Sequence, residues 1–161
     1  MIKPGPIKRS TALIPFSKDH HFALLLIWKI RQGLRFDIET LRMGTYINFF
    51  FENNLKEHFK EEEELLFTQL DENDDLRLSA EKDHAMLSLL NENIKLQPTI
   101  ANIKEFADKL EEHIRFEERL LFAHLQSILQ RSQLNSIREK MAKHIQKEDD
   151  WKDIFWMKPG K

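Results

Sequence analysis

The chain of 161 residues contains no cysteine. This absence excludes disulfide bonds, thiolate metal sites and cysteine nucleophiles together, so any bound metal ion must be held by nitrogen and oxygen atoms. Valine is absent as well, and only 4 glycines and 5 prolines occur. Because helix breakers are scarce and valine, a strand former, is missing, the composition favours helix throughout the chain.

Neither sign of charge dominates the sequence, since 25 Lys and Arg residues stand against 27 Asp and Glu residues. No basic field therefore marks the chain as a nucleic-acid binder. The sequence also lacks any stretch of about 18 uncharged apolar residues, and its N-terminus lacks the apolar run of a signal peptide. We expect a soluble, cytoplasmic protein of one domain, without a membrane or nucleic-acid partner.

One segment of the sequence occurs twice. The residues from His58 read HFKEEEELLF, and those from His113 read HIRFEERLLF. On a helix a residue and the one four places on share a face, so His58 points with Glu62 and His113 with Glu117. Alignment of the two copies selects Glu62 from the acidic run, because it matches Glu117, and leaves Glu61 without a counterpart.

Each His and Glu pair interrupts an apolar stripe of its predicted helix. Burying an ionised carboxylate without a partner costs several kcal/mol, so two such interruptions need a positive group between them, which a metal ion would supply. A single His-x-x-x-Glu in a Glu-rich chain would be read as a surface pair; the duplication and the stripe favour the metal site. The stripe residues are Ile47, Phe51, Leu55, Leu65 and Leu66 in the first copy, and Ile103, Phe106, Leu110, Leu120 and Leu121 in the second.

The chain divides into three predicted parts: an extended N-terminal arm at 1–16, rich in proline, a four-helix bundle at 17–130, and a C-terminal helix with an aromatic tail at 131–161. The tail either packs on the bundle or forms a homodimer contact. Caps and breakers place the helices. They are expected from Ser17 to about Gly33, from Asp37 or Thr40 to about Leu70, from about 74 to 96, from Thr99 to about Leu129, and from Ser132 through His144 to Trp151, Ile154, Phe155 and Trp156.

The repeat extends to the helix that precedes each copy. Asp19 and His20 precede a leucine-rich segment, just as Asp83 and His84 do, so the unit is a helical hairpin used twice. This match selects His20 over His21. The two aspartates either accept a hydrogen bond from a metal-binding imidazole or cap the start of a helix.

Facing ligands in an up-down bundle must lie at similar distances from the turn that joins their helices. His84 and His113 satisfy this condition around the turn near residue 97, and His58 and His84 satisfy it around the turn near residue 72. For His58 to be level with His20, the second helix should effectively begin near residue 42 rather than at 37. We therefore expect an irregular connection between the first two helices.

The predicted fold is thus an all-α, antiparallel up-down bundle whose four helices bring six side chains to one level. Four imidazoles and two carboxylates suit a pair of first-row ions bridged by the carboxylates, with two His on each ion. Iron fits best, and manganese or zinc are the alternatives. A ferritin-like site would need Glu-x-x-His on two helices, and only Glu81 with His84 fits. The candidate ligands are His20, His58, Glu62, His84, His113 and Glu117.

As a set, these motifs resemble the hemerythrin-like, HHE cation-binding family over nearly all of residues 17–130. The resemblance implies an antiparallel four-helix bundle around an oxo- or hydroxo-bridged centre of two iron ions, with the six side chains above as ligands. Oxygen-carrying hemerythrins differ from this chain in two ways. Their third helix carries a second His four residues from the first, where this chain has Ala80 and Ser88, and their fourth-helix carboxylate is an Asp five residues after the His.

The missing imidazole favours redox chemistry, sensing or iron exchange over reversible oxygen carriage. The leading hypothesis is a non-haem di-iron protein that handles or senses a small diatomic ligand or redox stress, through dioxygen, nitric oxide or peroxide. One alternative is an iron-handling protein without turnover, and the other is a metal-free helical interaction module. Among the remaining polar residues, His21 is expected near the surface, His124 in the core or at a pocket mouth, His144 in a solvated pair with Glu148, and Glu61, Glu63 and Glu64 on an outer face.

Overall fold

The computed structural model describes residues 8–145 and 148–160, which form helices and no strand. Most of the predicted N-terminal arm, residues 1–7, lies outside the described residues. Helix α1 is Ile14–Arg35, α3 is Asp75–Leu96 and α5 is Arg131–Lys140. Two helices are interrupted by a π-helical turn: α2 comprises Thr40–Phe50, the π segment Phe51–Leu55 and Lys56–Leu65, and α4 comprises Ile100–Phe116, the π segment Glu117–Leu121 and Phe122–Ile128.

Helices α1 to α4 form the predicted four-helix bundle, in which α1 packs on α2 and α4, and α3 packs on the same two helices. The short connections between consecutive helices make neighbours antiparallel. None of the described helices combines the length and apolarity needed to cross a membrane.

Two apolar clusters fill the bundle, one toward each end. Every helix of the bundle changes from one cluster to the other at the level of a candidate ligand. On α1, for example, Phe16 belongs to one cluster and Ala23 to the other, with His20 between them. The candidate ligands therefore form a polar layer that is closed above and below by apolar side chains.

The first helix begins at Ile14, so the prediction that Ser17 caps it is wrong. Pro15 occupies the first turn, where its missing N–H costs nothing because those amides have no partner within the helix. Ser17 instead donates a hydrogen bond to Glu118 Oε2 of α4 at 3.1 Å. The predicted cap of α4 is confirmed, since Thr99 accepts a hydrogen bond from a backbone amide of that helix. Asp74 accepts from two backbone amides and so caps α3.

The connection from α1 to α2 is irregular, as predicted. Asp37 has a φ of 53°, in the left-handed region that few residues other than glycine adopt. Helix α2 begins at Thr40. An unbroken α-helix that placed His58 level with His20 would begin nearer residue 42. The π turn at Phe51–Leu55 absorbs the difference, because an i→i+5 turn holds more residues than an α-helical turn.

The C-terminal segment departs from the predicted helix. Helix α5 begins after Gln130, whose backbone N–H donates to Gln133 Oε1, and it ends at Lys140. The prediction of a helix that carries His144 and continues to Trp156 is therefore wrong for the described part of 141–156. Tertiary contacts rather than helix propensity hold this segment.

Aromatic and charged contacts dock the C-terminal segment on the bundle. The Trp151 ring lies 4.6 Å from the Phe49 ring, centroid to centroid, and Phe155 is buried in the core. The ammonium group of Lys29 lies 4.1 Å from the centre of the Trp156 ring. The described part of the tail packs on its own bundle, one of the two arrangements expected from the sequence, and a homodimer through the same aromatic residues stays a prediction.

Replacement of Phe155 by alanine tests how much this docking contributes to stability. Because the ring is buried in the bundle core, Phe155→Ala should lower the free energy of unfolding by about 3–5 kcal/mol. The neighbouring Ile154 is half exposed, so Ile154→Ala should change it by about 0.5 kcal/mol or less. Urea unfolding followed by circular dichroism measures both, and equal small effects would mean that the tail does not hold the bundle.

Candidate metal centre

The six predicted ligands converge in the polar layer of the bundle. The Nε2 atoms of His20 and His113 each lie 3.0 Å from Glu117 Oε1. Those of His84 and His58 lie 3.1 and 3.2 Å from the Oε1 atom of Glu62. All four imidazoles therefore turn the same nitrogen toward the two carboxylates.

These side chains form two groups whose ligand atoms lie close enough to hold a cation. One group consists of His20, His58, Glu62 and Glu117, and the other of Glu62, His84, His113 and Glu117. Within each group, one ligand atom from every residue lies within 4.8 Å of the others. Both carboxylates are shared, and each group takes two histidines, as the bridged arrangement predicted from the sequence requires.

The outer nitrogen of each imidazole faces a second carboxylate. The Nδ1 atom of His58 lies 2.9 Å from Asp19 Oδ2, and that of His113 lies 2.9 Å from Asp83 Oδ2. Both aspartates thus contact an imidazole, the first of the two roles predicted for them. Such contacts fix the tautomer and direct the Nε2 lone pair inward.

The other two imidazoles are held by the glutamates that follow the candidate ligands. His84 Nδ1 lies 3.1 Å from Glu63 Oε1, and His20 Nδ1 lies 3.5 Å from Glu118 Oε1. Glu63 lies on the outer face, as predicted, with 48% of its side chain exposed, and it also reaches His84. The signal was present in the sequence, since the two copies of the repeat both contain Glu-Glu.

The phenylalanine that ends each repeat packs on an imidazole of the other hairpin. The Phe122 ring lies 5.5 Å from the His20 ring and nearly parallel to it, at 8°. The Phe67 ring lies 5.2 Å from that of His84, at 29°. The shared Leu-Leu-Phe therefore supplies an apolar wall that restrains the rings and limits the entry of water.

Burial alone would lower the pKa of each imidazole, but the nearby carboxylates reverse the direction. The pKa of His58 rises to about 9 through the charge of Glu62 and the hydrogen bond with Asp19. The pKa of His113 rises to about 10, chiefly through the charge of Glu117. In the metal-free protein these imidazoles therefore carry the positive charge that the buried carboxylates need.

The carboxylate of Glu62 shows the complementary effect. Burial would raise its pKa, but the charge of His58 and hydrogen bonds with three imidazoles hold the pKa well below its usual range. Burial would likewise lower the pKa values of His20 and His84, which are raised by hydrogen bonds with the carboxylates around them. The layer is a network of opposite charges that is closed to solvent.

Protonated imidazoles do not satisfy every atom of this network. Among the described residues, the buried side-chain atoms without a hydrogen-bond partner include His58 Nε2, His113 Nε2, Glu62 Oε2 and Glu117 Oε2. All four belong to the two groups, and the carboxylate oxygens, together with the imidazole nitrogens once they lose a proton, are ligands that divalent first-row ions accept. The residues present therefore fit a metal centre, because a cation would satisfy atoms that the protein leaves unpaired.

The remaining histidines lie outside the two groups. His21 is exposed, as predicted, whereas His124 is half-buried and lies 3.2 Å from Asp74, the cap of α3. The predicted solvated pair of His144 with Glu148 is wrong. His144 Nε2 lies 2.8 Å from Asp19 Oδ1, and its Nδ1 lies 3.2 Å from Glu61 Oε2.

A sequence model described as Hemerythrin HHE cation binding domain matches residues 19–125. Searches of curated proteins and of solved structures find no match. The matched range covers the six candidate ligands and ends before α5 and the C-terminal segment. Together with the two buried His and Glu groups, this match indicates a cation-binding protein.

The charge network makes the stability of the metal-free protein depend on pH. The folded-state pKa values of His58 and His113, about 9 and about 10, lie above the ordinary 6.5, so their contribution is complete below pH 6.5 and is lost toward pH 10. The contribution of Glu62 is present above its ordinary pKa of 4.5 and is lost as pH falls through the lowered value. With a chelator present, the thermal midpoint should therefore be highest between about pH 4.5 and 6.5.

Thermal unfolding in chelator across this pH range measures the effect, and the metal-loaded protein is the comparison. Metal ligands must be deprotonated, so the stabilisation by metal should grow from pH 6 to pH 8, while the metal-free protein weakens. A metal-free midpoint that stays level or rises between pH 6.5 and 9 would show that the buried imidazoles are neutral.

Proposed function

The chain belongs to the hemerythrin family of HHE cation-binding domains, and from this membership we propose that its six buried His and Glu side chains hold two iron ions. One ion would be bound by His20 and His58, the other by His84 and His113. Both carboxylates would bridge them. The observation that carries this proposal is that the two groups of ligand atoms share both glutamates.

Among the first-row ions that this donor set accepts, iron is the one that the family membership implies. The donor set contains imidazole and carboxylate without thiolate, which suits iron and leaves manganese and zinc as alternatives. His58, His84 and His113 each have the outer nitrogen within hydrogen-bond distance of a carboxylate, and this contact would raise the basicity of the nitrogen that faces the metal. A metal-free interaction module is disfavoured because it would leave the buried lone pairs of both glutamates without partners.

We further propose that this centre handles or senses a small ligand and is not a simple oxygen carrier. Bound iron would supply one-electron chemistry and sites for dioxygen, nitric oxide or peroxide. Near His84, the positions one turn away on α3 are Ala80 and Ser88, and neither provides a further imidazole. The protein thus offers fewer nitrogen ligands on this side than an oxygen carrier would.

A surface groove of about 650 Å³ between α2 and α3 would let a small ligand approach the metal centre from the side of His84. His84 and Ser88 line it, together with Phe51 and Phe59. Among the four outer carboxylates, Glu63 is the most exposed, at 48% of its side chain, compared with 5% for Asp19. His84 is therefore the ligand closest to solvent, and Phe59, stacked 4.0 Å from it, narrows the passage to small molecules.

Iron handling without turnover is the second candidate, and the charge around this groove favours it. Five glutamates line the groove against only two lysines, so the rim attracts cations. The two candidates differ in what happens to ferrous protein in air. Rapid oxidation of retained iron supports ligand handling, whereas iron that stays ferrous and passes readily to a chelator supports exchange.

The stoichiometry tests the metal centre itself. Anaerobic reconstitution followed by desalting should leave two iron atoms per chain, measured by elemental analysis. Because Glu62 belongs to both groups, Glu62→Ala should reduce the binding of both ions, while His20→Ala should remove one and leave the other. Glu64→Ala is the matched control, since this glutamate is exposed. A single ion in the unmodified protein contradicts the bridged centre.

An added imidazole tests whether the ligand count near His84 controls reactivity. Ser88→His places a ring one helical turn from His84, so it should slow the oxidation of ferrous protein in air at least severalfold. Glu92→His is the control, because residue 92 lines the same groove but lies a further turn of about 6 Å along α3. Stopped-flow absorbance measures both, and equal rates with two irons bound would remove the argument against a carrier.

A further inference from the structure

Asp19 faces the imidazole of His58, and Asp83 faces that of His113. The two aspartates differ in the side chain that contacts their other oxygen. Asp83 Oδ1 accepts from Lys109 Nζ at 2.8 Å, while its other oxygen faces His113. Asp19 Oδ1 accepts instead from His144 Nε2, also at 2.8 Å. In both halves of the centre an aspartate contacts an imidazole, but a lysine holds Asp83 and a histidine holds Asp19.

Comparison of the two repeats explains why α2 provides no lysine to contact Asp19. Lys109 lies one turn before His113, and the matching position before His58 is Asn54. His144 comes instead from the C-terminal segment, 125 residues from Asp19. It lies outside the four helices and outside the matched residues 19–125.

We propose that His144 is a positioning residue for the half of the metal centre formed by His20 and His58, and that it makes the affinity of this half depend on docking of the C-terminal segment. The inference rests on the proposed two-iron function. Lys109, anchored on the same helix as its ligand, performs the corresponding task for the other half independently of the tail.

The physical basis is the orientation of the carboxylate between the two groups. With His144 on one oxygen, the Asp19 carboxylate is held so that the other oxygen receives the outer N–H of His58. The Nε2 lone pair of His58 then points into the centre. Loss of the group that contacts a ligating imidazole, here Asp19, ordinarily weakens binding by about 10- to 100-fold. Loss of His144, which only orients Asp19, should cost up to about 10-fold.

A second contact makes the position of His144 specific. Its Nδ1 atom faces Glu61, a glutamate of the acidic run whose counterpart in the other repeat is Phe116. The imidazole is therefore held between two carboxylates, and its side chain is only 15% exposed. Both of its contacts are on the bundle, one on α1 and one on α2.

The experiment measures each half separately by chelator competition for Fe(II) under anaerobic conditions. In a His113→Ala background, where the His20 and His58 half remains intact, adding His144→Ala should weaken binding of the remaining ion by up to about 10-fold. In a His20→Ala background the same change should have no effect. Lys109→Ala should give the reverse pattern, and identical constants with and without His144 in both backgrounds would overturn the inference.

Two further variants separate positioning from general loosening of the tail. His144→Gln keeps an N–H that can donate to Asp19 and should recover part of the affinity. Asp153→Ala breaks the ion pair with Arg42, at 2.6 Å, which lies at the surface and contributes little to docking. It should therefore lower the affinity far less than His144→Ala. An equal loss in Asp153→Ala and His144→Ala would show that the contact with Asp19 has no special role.

Linkage provides a readout that needs no variant of the ligands. If docking strengthens metal binding, metal must strengthen docking by the same factor. Metal should therefore slow trypsin cleavage at Lys143 and Lys152 in the unmodified protein, and not in His144→Ala. Equal cleavage of the loaded and metal-free protein overturns the inference, whereas failure of the unmodified chain to bind two irons contradicts the proposed function.

Discussion

The burial of two carboxylates in the middle of the bundle is the constraint on which the rest of the structure depends. Glu62 and Glu117 have no exposure to solvent, and neither could remain ionised there without nearby positive charge. Each of the four bundle helices therefore places an imidazole at the level of the glutamates. A second carboxylate lies beside the outer nitrogen of each imidazole. The apolar clusters above and below exclude water and so increase the strength of these interactions.

Much of this arrangement could be predicted from the sequence, because helical periodicity is a local property. His58 and Glu62 share a face wherever that helix lies, and the duplication identifies which glutamate and which histidine match. The number of helices, their approximate ends and the convergence of the six side chains follow from these patterns. Even the irregular connection before α2 follows from the requirement that His20 and His58 lie at one level.

The features that could not be predicted depend on contacts between distant parts of the chain. The π turns in α2 and α4 have no turn residues that mark them, since they adjust one packed helix to its neighbours. The residues described after Lys140 form no helix, because contacts of Trp151, Phe155 and Trp156 with the bundle hold them. The contact between His144 and Asp19 spans 125 residues and leaves no periodic signal in the sequence.

The crossing of contacts between the two hairpins has a consequence for how the protein tolerates change. His20 belongs to the first hairpin, but its outer carboxylate and its stacking ring, Glu118 and Phe122, come from the second. In the same way, His84 of the second hairpin contacts a carboxylate and a stacking ring of the first, Glu63 and Phe67. Neither hairpin is an independent half. The two hairpins exchange equivalent contacts, as the subunits of a symmetric dimer do, and the connection at 66–74 joins them covalently. A substitution in one hairpin would therefore disturb an imidazole of the other hairpin.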